Sequence, residues 1–72
     1  MKNEIKLDFT PAEWRDLFEN CDFTDRQKEI IALKRRGMFN VDIAEELYIS
    51  RSTIDREIKK IRKKILQRIR SI

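Results

Sequence analysis

Ser50–Ile72, SRSTIDREIKKIRKKILQRIRSI, is the stretch whose reading decides the fold. Ile54, Ile58, Ile61 and Ile65 recur at steps of four, three and four, which places them on one face of a helix with 3.6 residues per turn. Ser50 supplies an N-cap hydroxyl, and Ile49 before it pairs with Ile54 as a hydrophobic staple. No Gly or Pro interrupts the stretch, so it predicts one long helix. With the isoleucines inward, the opposite face carries Ser52, Arg56, Lys59 and Lys63, flanked by Arg51 and Asp55. Such a helix offers positive charge and hydrogen-bonding groups to something outside the fold.

The rest of the chain reads as support for that helix. Asn40 is positioned to cap a short helix, Val41–Leu47, whose Ile43, Ala44 and Leu47 turn inward while Asp42, Glu45 and Glu46 face water. Tyr48 and Ile49 make the tight turn into Ser50, which completes a helix-turn-helix. Upstream, Thr24 and Gln27 form a capping box for a helix running to Arg36, with Ile30, Ile31, Ala32 and Leu33 on its apolar side. Gly37, the only glycine, stands where a left-handed residue ends that helix, after Lys34, Arg35 and Arg36 in the last turn. Thr10, Pro11 and Glu13 announce a further helix to about Asn20, with Trp14, Leu17, Phe18 and Cys21 on one face. Residues 1–9 read as an arm.

Size and composition agree with this plan. The 72 residues suit one domain, near the limit where a single core gives only about 3–5 kcal/mol. Charged residues make up 42% of the chain against one Gly and one Pro, a balance that favours helices packed by amphipathic faces. The expected fold is all-α: a wingless helix-turn-helix of four helices over 1–72, with the arm, an N-terminal extra helix at 10–21, a core at 24–66 and an extension of the last helix at 67–72.

Net charge is +4, but residues 58–72 hold seven basic side chains and no acidic one, while residues 1–57 hold ten basic and thirteen acidic. A positive field concentrated in that way suits a polyanion, because each neutralised phosphate releases counterions. Cys21 stands alone, which points to a reducing compartment and a core thiol. The sequence has no long apolar run and no leader-like N-terminus, so a cytoplasmic location is expected, with no membrane association. It also has no histidine, glycine-rich phosphate loop or metal-ligand cluster, so neither an enzyme nor a cofactor or metal is expected.

The segment FTDRQKEIIALKRRGMFNVDIAEELYISRSTIDREIKKIRKKI, Phe23 to Ile65, resembles the DNA-binding domain of LuxR/GerE-type bacterial transcription regulators. It is also similar to region 4 of bacterial sigma factors of the extracytoplasmic-function type. The matching elements include Phe23-Thr24, Glu29-Ile30-Ile31, Gly37, Asn40, Ile43-Ala44, Leu47, Ile49-Ser50, Thr53-Ile54, Ile58 and Ile61.

The resemblance implies a bacterial or phage transcriptional regulator whose Ser50 helix enters the major groove of double-stranded DNA, with the Val41 helix packed across it. Carried over by position, Asp55, Arg56 and Lys59 fall where the family reaches base edges, and Asn40, Val41 and Thr53 where it lies near phosphates; Arg51 and Ser52 are expected to join the base contacts, and Ser50, Lys60 and Lys63 the phosphate contacts. Ser52 also matches a position near phosphates. Asp55 departs from the family, which usually has a basic residue there. A carboxylate at that place accepts from cytosine N4 or orients Arg51 or Lys59.

LuxR-type domains carry a further helix that often pairs two subunits, whereas here the Ser50 helix is expected to run on. Ile65, Leu66, Ile69 and Ile72 then form a distal seam, for a homodimer or for docking on the N-terminal helix. A second reading makes the chain a sigma-like module that binds RNA polymerase or a regulatory protein through Trp14, Phe18 and the acidic N-terminal helix.

Overall fold

The computed structural model describes residues 9–70; the arm before Phe9, and Ile72, lie outside the described residues. Four helices follow one another: α1 (Pro11–Asn20), α2 (Asp25–Arg35), α3 (Asn40–Leu47) and α4 (Arg51–Arg70). Among the described residues there is no strand. At about 1.5 Å per residue α4 is a rod about 30 Å long, and the other three helices pack along it.

Local chemistry sets the helix boundaries. Thr10 Oγ1 accepts from Glu13 N (3.1 Å) while Thr10 N donates to the Glu13 carboxylate (2.8 Å). Thr24 and Gln27 repeat the arrangement, at 3.1 Å in both directions. Both capping boxes therefore form as their sequences require. Ser50 Oγ accepts from Thr53 N at 3.2 Å and opens α4.

The ends of α2 and α3 close by one geometry. After α2, Gly37 N donates to Lys34 O and Met38 N to Leu33 O, with Gly37 at φ 90°. After α3, Tyr48 N donates to Glu45 O and Ile49 N to Ala44 O, with Tyr48 at φ 56°. Each is a Schellman ending with its left-handed residue just past the helix, and Tyr48 fills a position that glycine usually takes.

Two expectations about α2 and α3 are corrected. Ala32 is exposed rather than part of the apolar side. Asn40 is the first residue of α3 rather than its cap, a position held by Phe39, which has no side-chain acceptor. The reason is that both ends of the Asn40 carboxamide are committed elsewhere, to Lys34 and Asp55.

The core is one continuous cluster. Trp14 and Leu17 of α1, Ile30 and Ile31 of α2, Ile43 and Ala44 of α3, and Ile54, Ile58, Ile61 and Ile65 of α4 are all buried in it, with Cys21 and Phe23 from the α1–α2 link. Each fully buried isoleucine contributes roughly 1.5–3 kcal/mol. Phe9, Trp14, Phe18 and Phe23 form a row with ring centroids 5.3, 5.7 and 5.6 Å apart, and the Arg35 guanidinium lies 4.8 Å over the Trp14 ring. This row fixes α1 to the body.

Candidate nucleic-acid interface

The two faces of α4 are segregated. All four isoleucines at 54, 58, 61 and 65 are buried, and Arg51, Ser52, Arg56, Lys59, Lys60, Arg62 and Lys63 are exposed. Burying the apolar stripe forces this outcome, because side chains half a turn away on the same helix have to point outward. The exposed face is cationic, and its first turn adds three hydroxyls. Ser50 Oγ lies 2.8 Å from Thr53 Oγ1 and 3.3 Å from Ser52 Oγ.

The residues expected at bases and phosphates fall into two groups. Arg51, Ser52, Arg56 and Lys59, with Ser50, Lys60, Lys63 and Val41, are exposed, while Thr53, Asp55 and Asn40 are half-buried. Two of these three half-buried residues are bonded together: Asn40 Nδ2 donates to Asp55 Oδ1 at 3.1 Å, and Lys34 Nζ donates to Asn40 Oδ1 at 3.0 Å. Asp55 therefore faces the start of α3. Because no side chain caps α3, its first-turn amides lack a side-chain acceptor, and a helix start of that kind suits a phosphate oxygen.

Sequence reasoning missed the polar ties that hold α4 in place. Gln27, only 2% exposed, donates from Nε2 to Glu57 Oε1 (2.9 Å), and its Oε1 accepts from Lys64 Nζ (2.7 Å) as well as from Thr24 N. Lys64 Nζ also donates to the Asp22 carbonyl. The buried amide thus has every polar atom partnered, as burial demands. Further along, Arg68 donates to both oxygens of Asp16, with Nη2 at 2.7 Å and Nε at 3.0 Å. These pairs span from 30 to 52 positions, and no local pattern marks them. For the ties to Gln27 alone the sequence holds a signal, its place as the cap partner of Thr24.

The distal part of α4 docks on α1 through Arg68–Asp16, beside a hollow lined by Phe9, Ala12, Leu17 and Ile69. Ile65 is core and cannot belong to an exposed seam, whereas Leu66 (40%) and Ile69 (46%) are exposed. Trp14 is 3% exposed and Phe18 packs against the same core, so the aromatic side of α1 is not a free docking surface for a polymerase or regulatory protein. Burial pushes the Cys21 thiol up from its ordinary pKa, and its Sγ donates to Lys64 O at 3.5 Å, which suits a packing role.

Among the described residues no cluster of metal-ligating side chains is assembled, and no helix is long and apolar enough to cross a membrane. Four helices, a tight α3–α4 turn and an outward cationic helix define a helix-turn-helix domain of the kind that binds DNA. Residues 22–70 match the family model of bacterial regulatory proteins of the luxR family, GerE, and the chain belongs to that family. It is accordingly a DNA-binding domain of the transcription-regulator class. Among curated proteins and among solved structures nothing matches it significantly.

Proposed function

We propose that the chain is a sequence-specific transcriptional regulator that lays the first half of α4 in the major groove of duplex DNA. The observation that carries this reading is the burial of Ile54, Ile58, Ile61 and Ile65, which commits the opposite, cationic face of the same helix to solvent. Arg51, Ser52, Asp55, Arg56 and Lys59 then meet base edges, and Val41, Ser50, Thr53, Lys60, Lys63 and the Asn40 backbone meet phosphates. Arg56 bridging guanine O6 and N7 supplies about 1–3 kcal/mol of discrimination. Lys60 and Lys63 add affinity without sequence information.

A second copy completes the reading, because a body this small covers few base pairs. Leu66 and Ile69, exposed at the end of α4 away from the α3–α4 turn, are the contact surface for it. The recognition site is then a palindrome.

Duplex binding measured across salt concentration tests the proposal. Log affinity falls steeply and linearly with log salt, and Arg56→Ala relaxes sequence preference while Lys63→Ala weakens all duplexes alike. An affinity indifferent to salt overturns it.

A further inference from the structure

Asp55 and Glu57 are the two acidic side chains of α4; Glu57 is tied to the buried Gln27, while Asp55 stands among Arg51, Arg56 and Lys59. On a surface that meets phosphates a carboxylate lowers affinity, yet this one is held in place from two other helices. Lys34, in the last turn of α2, donates to Asn40 Oδ1 at 3.0 Å; Asn40, the first residue of α3, donates from Nδ2 to Asp55 Oδ1 at 3.1 Å. The relay has a fixed polarity. Turning the Asn40 amide over would set its NH2 against the ammonium and its oxygen against the carboxylate, so Lys34 and Asp55 together dictate its orientation. One carboxylate oxygen is committed to Asn40, and the half-buried group lies where the α3 start meets α4.

We propose that Lys34, Asn40 and Asp55 form a specificity relay: Lys34 and Asn40 are positioning residues that hold the Asp55 carboxylate so that its second oxygen accepts a hydrogen bond from cytosine N4 in the major groove. The inference rests on the DNA-reading surface proposed above. An acceptor aimed into the groove matches the amino group that cytosine presents there and repels the O6 and N7 acceptors of guanine. The same carboxylate weakens non-specific phosphate binding, so the relay gains discrimination at the expense of affinity.

Selection of bound duplexes from a random pool tests the relay, with wild-type protein, Asp55→Ala, Asp55→Asn, Lys34→Met and Lys34→Arg compared at equal helicity by circular dichroism. Wild type enriches a cytosine at one position beside the guanine read by Arg56. Asp55→Ala loses that cytosine, keeps the guanine and binds random duplex more tightly at low salt. Asp55→Asn exchanges cytosine for adenine, which an Asn side chain recognises through N6 and N7. Lys34→Met reduces the cytosine preference several-fold and Lys34→Arg restores it, a rescue that a purely structural lysine would not give at a single base position. An Asp55→Ala pool with the cytosine intact, or a wild-type pool with a defined site lacking it, overturns the relay while leaving the DNA-reading function in place. A wild-type pool with no enriched sequence overturns both.

Discussion

Tyr48 carries a left-handed backbone (φ 56°) at the corner of the helix-turn-helix and exposes 95% of its surface. A non-glycine residue there costs roughly 1–2 kcal/mol, against about 0.5–1 kcal/mol that glycine loses through its freer unfolded chain. The side chain contributes almost no burial, so the strain decides. Tyr48→Gly is expected to stabilise the domain by about 0.5–1 kcal/mol, raising the thermal midpoint by several degrees in a domain of this size. A lower midpoint would mean that the ring makes a contact of its own. Gly37, at φ 90°, shows the complementary case, in which the sequence already holds the residue that the geometry asks for.

Residues of this kind explain what the sequence reveals at short range. Thr10, Thr24 and Ser50 were readable as caps because their partners lie three residues away, and each bond is present. Asn40 was misread for the same reason in reverse. Its type suits a cap, but Lys34 and Asp55 lie six and fifteen positions away and claim it. Local propensity is silent about a competitor that only the fold brings near.

At the scale of elements, α4 is the organising helix, and its isoleucine period made that legible. The fate of its distal end was not, because Ile65, Leu66 and Ile69 look alike in sequence and only the position of α1 separates the buried one from the exposed two. Likewise the spacing of Trp14 and Phe18 suits a core face first and a docking face second, and only the placement of α1 decides between them.

The α1–α4 tie also has a pH signature. The Arg68 guanidinium bonded to Asp16 holds its carboxyl below the usual carboxylate range, against a smaller opposing effect of burial. A carboxyl with a depressed folded-state pKa stabilises the fold above its unfolded value, near 4, and loses that contribution as pH falls through the folded value. Wild type is therefore expected to melt above Asp16→Asn near neutral pH, with the gap closing in acid, as thermal melts at a series of pH values would show. A gap that persists unchanged into strong acid would contradict this role for the pair.

For the whole molecule, three polar ties, at Asp55, at Glu57 with Lys64, and at Arg68, fasten α4 to α3, α2 and α1 respectively. The helix is held along most of its length on one side and left open on the other. Family membership over residues 22–70 makes DNA the partner class, and the charge separation along the chain gives the field that draws a polyanion to that open side. The all-α class and the helix-turn-helix were legible because they depend on periodicity and caps. The geometry proposed for base reading was not, because it rests on pairs such as Asn40–Asp55 that are remote in sequence.

The central claim is that the exposed face of α4 and the start of α3 meet the DNA together, with α1 on the far side. Amide chemical-shift mapping during titration with a selected duplex tests this most directly. The account predicts the largest changes at Asn40–Val41 and from Ser50 through Lys63, with little change along α1. Changes concentrated at Pro11–Asn20, with the α4 amides unmoved, would contradict it.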